Sequence, residues 1–227
     1  MGSHSSPGAD LRHIGVWLFD LDNTLYPLES GHMLLVQDKM TDYMERMTGL
    51  PRDEARALQK RYYHQHGTTL AGLMAHHGIE PEAFLEEVHD ISMDRLTPDP
   101  ALRAALLRLP GRQLVFTNGS ASHAGRVLEK LGLADIFEDV FHIASADYIP
   151  KPAPETFEKV VARFGIDPKV TCFFEDSEKN LAPAAAIGMT TVLVGAHAEA
   201  VDADFVHHRT NDLAGFLAGA RLKETAA

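Results

Sequence analysis

The sequence predicts an α/β protein: a parallel sheet with helices on both faces and an all-helical unit inserted near its start. Three observations predict it. Short unbroken apolar runs recur along the chain, as strands buried on both faces require. Amphipathic helical patterns lie between those runs, which makes βαβ units with right-handed crossovers. Residues 28–97 break the alternation, because they hold no convincing strand.

The elements follow in order. Met1 to Asp10 is small and polar and reads as a disordered leader or expression remnant, so residues 1–11 are set apart. Ile14 to Asp20 (IGVWLFD) reads as the first buried strand. Met33, Val36, Met40, Met44 and Met47 mark an amphipathic helix, and core packing explains this stripe better than binding. Pro51 sits where a first-turn proline belongs, with Ala55, Leu58 and Tyr62 following at helical spacing. Short helices are expected around Leu70 to Met74 and Phe84 to Val88, punctuated by Gly49, Gly67 and Gly78. Thr97-Pro98-Asp99-Pro100 returns the chain to the sheet. Further strands are expected at Gln113 to Thr117, Val140 to Ile143, Val170 to Phe174 and Thr190 to Val194. Helices are expected at Ser120 to Leu131, Pro154 to Phe164 and Asn180 to Ile187. The expected division is a core of 12–27 and 98–222, a helical unit of 28–97 and a tail of 223–227.

Composition narrows the class. The 227 residues carry 21 basic and 32 acidic side chains, a formal charge of −11, with 45% hydrophobic residues. That is an ordinary globular mix. No apolar run approaches the ~18 residues of a membrane span, and no secretory signal is present. Cys172 is the single cysteine, which excludes an internal disulfide and suggests the cytoplasm. Net negative charge without a Lys/Arg cluster argues against a nucleic-acid polymer as partner.

The chemistry gathers at strand ends, where open α/β sheets bind ligands. Asp20-Leu21-Asp22-Asn23-Thr24 follows the first strand, and its two acids can face one crevice. An Asx turn would explain that pair alone. The second strand ends at Thr117-Asn118-Gly119-Ser120, and the fourth at Glu175-Asp176-Ser177. A helix N-cap would explain Glu175-Asp176 alone. Lys151 stands between Pro150 and Pro152, where two rings fix the backbone beside it. A solvated surface lysine is the plainer alternative. Together they form a set of hard oxygen donors with one ammonium and one hydroxyl, which suits Mg²⁺ and a phosphate. The residue chemistry therefore points to Mg²⁺-assisted phosphoryl transfer with a carboxylate available as nucleophile.

These motifs, in this order, resemble the haloacid dehalogenase-like superfamily of phosphohydrolases. The resemblance implies a Rossmann-like core and a C1-type helical cap inserted after the first motif. It implies Asp20 as nucleophile and Asp22 as general acid, then general base. Mg²⁺ would be held by Asp20, Asp176 and the backbone carbonyl of Asp22, with Glu175 acting through a water. Leu21, Asp22, Thr117, Asn118 and Lys151 would hold the phosphate. Dehalogenases of the superfamily lack the second acid of the first motif; Asp22 is present, which favours a phosphatase.

A narrower resemblance, to the pyrimidine 5′-nucleotidase branch, rests on DLDNTLYP (20–27), YYHQHGTTLAGL (62–73), Val88-His89, DYIPKP (147–152), Phe116 to Ser120 and EDSEKNL (175–181). It implies a nucleoside monophosphate, UMP or CMP, as substrate. His66 departs from it, standing where the branch carries tyrosine. Tyr26, His32, His66, Thr68 and Thr69 are candidate substrate contacts. Hinge packing explains Tyr26 and His32 as well, and a helix N-cap explains Thr69. The histidine pairs 64/66, 76/77 and 207/208 lack zinc-site spacing and read as surface. The alternatives are a sugar-phosphate phosphatase, a phosphomutase, or a silent interaction protein on the same scaffold. The presence of Asp20, Asp22 and Asp176 weighs against the last. A monomer or small homo-oligomer is expected.

Overall fold

The computed structural model describes residues 8–224. Residues 1–7 of the expected leader and 225–227 of the expected tail lie outside the described residues. The last residues of the expected leader belong to the fold: Asp10 bridges to Arg221, and Leu11 is fully buried in the core. The apolar side chain of Leu11 draws that end of the leader inward.

Among the described residues six strands form one parallel sheet: β1 (Val16–Phe19), β2 (Arg112–Phe116), β3 (Asp139–Phe141), β4 (Thr171–Glu175), β5 (Thr190–Val194) and β6 (His208–Thr210). Their spatial order is β3-β2-β1-β4-β5-β6, so the chain order reverses between β1 and β4. Val16 pairs with Arg112 on one side and Thr171 on the other, which centres β1.

Burial on both faces explains the unbroken apolar runs. Trp17 and Phe19 point to one layer with Cys172 and Phe174, under α5 (Pro100–Leu107), α6 (Ala121–Leu131) and α9 (Leu213–Gly219). Phe19 and Phe174 stack there at 4.6 Å. Val16 and Leu18 point the other way with Phe116 and Phe173, under α7 (Pro154–Phe164) and α8 (Glu178–Ala186).

Between β1 and α5 the chain builds a helical cap of α1 (His32–Thr48), α2 (Arg52–His66), α3 (Thr69–His77) and α4 (Pro81–His89). It has its own core, including Val36, Met44, Leu58, Leu73, Phe84 and Val88. Pro51 is the N-cap of α2, one position before the first turn. The cap of α3 is Thr68, whose Oγ1 accepts from the Ala71 amide at 3.1 Å, and Thr69 is its first residue. No described helix is long and apolar enough to cross a membrane.

Candidate active site

A cleft of about 360 Å³ lies at the carboxyl edge of the sheet, against β1 and β4. The reversal of strand order leaves a crevice there, because adjacent crossovers leave on opposite faces. Asp20, Asp22, Asn23, Thr117, Asn118 and Lys151 line it, with Glu175 and Asp176. The cap roofs it with residues of α1 and α2 and with the Gly67-Thr68-Thr69 turn.

Lys151 is the centre of the arrangement. The whole residue is 1% exposed. Nζ donates to Asp20 Oδ1 at 2.7 Å, to Glu175 Oε2 at 2.7 Å and to the Phe116 carbonyl at 2.8 Å. Its backbone is fixed by Asn118, whose Oδ1 accepts from the Lys151 amide at 2.9 Å. Burial works against the ammonium, but the facing carboxylates of Asp20 and Glu175 outweigh it and hold the proton. Asp20 Oδ2 accepts from Thr24 Oγ1 at 3.2 Å. Asn23 donates from Nδ2 to Asp176 Oδ2 at 3.3 Å, tying the β1 loop to the β4 loop. Thr117 Oγ1 accepts from the Gly119 amide at 2.9 Å, which turns the chain into α6.

Carboxylate oxygens of Asp20, Glu175 and Asp176 lie within 4.8 Å of one another. Burial and the negative charge of Glu175 push Asp20 up to about 7 against the pull of Lys151. Burial pushes Glu175 up to about 7, and burial with the Asp20 charge pushes Asp176 up to about 6. Three acids thus crowd one ammonium, and a further positive charge there favours the ionised form of all three. The donor set is all oxygen, which fits Mg²⁺.

Asp22 behaves differently. Burial pushes it up, but the His123 charge and hydrogen bonds from His123 and Tyr26 outweigh that and hold it down at about 2. Tyr26 donates from its hydroxyl to Asp22 Oδ1 at 2.6 Å, and His123 Nε2 meets the same oxygen at 2.8 Å.

The expected substrate contacts divide. Thr68 and Thr69 line the cleft. Tyr26, His32 and His66 do not. Tyr26 is buried and turned onto Asp22; His32 is buried edge-on to Tyr26, with ring centroids 5.6 Å apart. His66 faces His76 across 3.0 Å and is not among the residues that line the cleft. Leu21 has a fully buried side chain, so only its backbone can meet a ligand. The methionine stripe splits: Met44 packs in the cap core, while Met33 and Met40 line the cleft beside Val36. Sequence reasoning missed His123 and Asn23. His123 stands on the apolar face of α6 with Val127 and Leu131, an unusual place for a polar ring and the available signal.

Fold and site together define a doubly wound α/β protein with an acidic, lysine-paired centre at its switch point. The family model for haloacid dehalogenase-like hydrolases matches residues 14–188, and the chain belongs to that family. It is 30% identical over 194 residues to Phosphate metabolism protein 8 of Saccharomyces cerevisiae, covering 78% of this chain and 60% of that one. It is 27% identical over 198 residues to Glyceraldehyde 3-phosphate phosphatase of Methanopyrus kandleri, covering 78% and 82%. Among solved structures, a HAD phosphatase from Thermococcus onnurineus aligns with a TM-score of 0.58 at 22% identity, over 88% of this chain and 94% of that one.

Proposed function

We propose that this chain is a Mg²⁺-dependent phosphomonoesterase working through an aspartyl-phosphate, with UMP or CMP as substrate. The observation that carries the reading is the cluster of Asp20, Glu175 and Asp176 around buried Lys151 at the switch point. The two curated relatives bear names from phosphate chemistry, which supports the reaction class.

Asp20 attacks phosphorus, forming a carboxyl O–P bond as the ester O–P bond breaks. Asp22, ionised at rest, takes up a proton from solvent as the substrate binds and gives it to the departing alkoxide. An incoming phosphate dianion adds negative charge beside Asp22 and raises its proton affinity from the resting value. Water then attacks the acyl-phosphate, Asp22 takes the water proton, and inorganic phosphate leaves with the Asp20 carboxylate restored. Mg²⁺ would be held by Asp20, Asp176 and the Asp22 carbonyl, with Glu175 through a water, and would neutralise charge on the transferring group. Lys151, Thr117, Asn118 and the Leu21 and Asp22 amides would hold the phosphate oxygens.

Residues 28–97 would act as the closing cap, with Thr68 and Thr69 at the far end of the substrate. The nucleotide reading is supported by the sequence stretches of the 5′-nucleotidase branch. A second reading, a sugar phosphate, is supported by the name of the archaeal relative. A cytoplasmic location is supported by a single cysteine that is buried.

Phosphate release from UMP, CMP, AMP, GMP and sugar phosphates tests both readings, with Mg²⁺ and with EDTA. UMP and CMP are expected to be fastest, with activity abolished by EDTA and by Asp20→Asn. Equal or faster turnover of sugar phosphates overturns the nucleotide assignment. Activity that survives EDTA or Asp20→Asn overturns the mechanism.

A further inference from the structure

His123 has no role in the chemistry just described, yet it touches the group that must move the proton. It is fully buried on α6. A carboxylate only accepts, so His123 Nε2 carries a hydrogen and donates to Asp22 Oδ1. Tyr26 donates to the same oxygen. Two donors on one oxygen fix the rotation of the carboxyl group. Oδ2 is left on the side of Gly119, a cleft residue, where a Cβ would lie 3.6 Å from it.

The imidazole of His123 is itself held by the cap. His89 stacks on it at 4.3 Å and 16°, and His32 at 5.8 Å and 11°. His32 opens α1 and His89 closes α4, so the two rings come from the two points where the chain enters and leaves the cap. α6 also fastens the end of α4: Ser120 Oγ meets His89 Nδ1 at 2.9 Å, and Arg126 donates to the carbonyls of His89 at 2.8 Å and Ile91 at 2.5 Å. For packing alone the imidazole is a poor choice. Its Nδ1 has no hydrogen-bond partner among the described residues, a cost that phenylalanine would avoid.

We propose that His123 is a positioning residue for the reaction, holding Asp22 with Tyr26 so that Oδ2 faces the leaving oxygen, and that its stacking with His32 and His89 ties this orientation to the seating of the cap. The proposal rests on the phosphomonoesterase reading.

The test compares kcat/KM on two esters. An alkyl phosphate, UMP or whichever is turned over best, needs its leaving oxygen protonated; p-nitrophenyl phosphate does not. His123→Phe keeps the ring and removes the donor. It is expected to lower kcat/KM about 10- to 100-fold on the alkyl ester and less than about 3-fold on the nitrophenyl ester. His123→Gln, which returns a donor near Nε2, is expected to recover part of the alkyl activity. In an Asp22→Asn background, His123→Phe is expected to cost nothing further. His123→Leu replaces His123→Phe in the comparison if the latter does not fold. Equal losses on both esters, or losses that multiply in the double variant, overturn the proposal. Failure of the underlying reading is seen separately, as a wild-type protein that turns over neither ester or an Asp20→Asn variant that keeps its activity.

Discussion

Lys151 places all of its ammonium donors inside the protein, on Asp20, Glu175 and the Phe116 carbonyl. Such a group is positioned as well as charged, because every proton has a fixed address. His89, stacked on His123, obeys the opposite rule. Burial, with the nearby His123 charge, lowers His89 to about 3, so it stays neutral in the folded protein. The unfolded chain takes up that proton below its ordinary value of 6.5, so unfolding gains a proton between about pH 6.5 and 3. Folding stability from His89 is therefore full above pH 6.5 and lost as pH falls through that window. Between pH 7.5 and 5.5 the loss is about 1.4 kcal/mol. Urea midpoints at the two pH values check this: His89→Phe is expected to lose less than the parent over that interval by about this amount, and equal losses would refute it. At this scale the motif residues were legible, since Asp20, Asp22, Glu175, Asp176 and Lys151 all fall at strand ends or in loops, where the apolar pattern stops. His123 was not, because it lies in an apolar pattern and its partner Asp22 is 101 residues away, and Tyr26, legible as a candidate substrate contact, turns instead onto Asp22.

Gly67 joins the α2 and α3 elements over the catalytic loop. Its φ is +83°, and a Cβ there would sit 3.2 Å from Pro150 Cγ and 3.4 Å from the Lys151 carbonyl. Backbone conformation and close approach both demand glycine. Gly78 ends α3 at φ +60° with nothing within 4 Å of its missing Cβ. Gly78→Ala is thus expected to cost about 1 kcal/mol from backbone strain alone, and Gly67→Ala about 2 kcal/mol or more. Chemical denaturation of the two variants measures the difference; equal costs would mean that the cap turn does not press on the Pro150 loop. The same physics decides which elements could be read from sequence. Strands β1, β2, β4 and β5 were legible because both faces are covered and each carries a short unbroken apolar run. β6 was not: it is a three-residue edge strand of His, Arg and Thr. α9 was hidden by two glycines in seven residues, which dilute helix propensity. α5 did carry a start signal, Asp99 before Pro100, and Asp99 does accept from the Ala101 and Leu102 amides.

At the scale of the molecule, the sheet brings like charge together at its own switch point. β1 and β4 are neighbours, so Asp20 and the Glu175-Asp176 pair necessarily converge when the sheet forms. Lys151, delivered from the loop before α7, offsets only part of that charge. The cation-free fold is therefore held under repulsion, and a divalent cation that binds the folded but not the unfolded chain stabilises it by mass action. At about 100 times its dissociation constant the gain is about 2.7 kcal/mol, which for a chain of this size raises Tm by roughly 5–10 °C. Sodium at matched ionic strength is expected to give little of that shift. Asp176→Asn separates binding from screening, because it removes one acid from the cluster while its amide can still accept from Asn23. The variant is expected to melt above the parent in EDTA, where repulsion is relieved, and to gain less from Mg²⁺, where a ligand is lost. That crossing of the two melting curves is the signature of a cation site assembled by the strand order. Asp176→Asn melting lower than the parent in EDTA, or an unchanged Mg²⁺ shift, would show that the cluster is neutralised from within, by shared protons and Lys151.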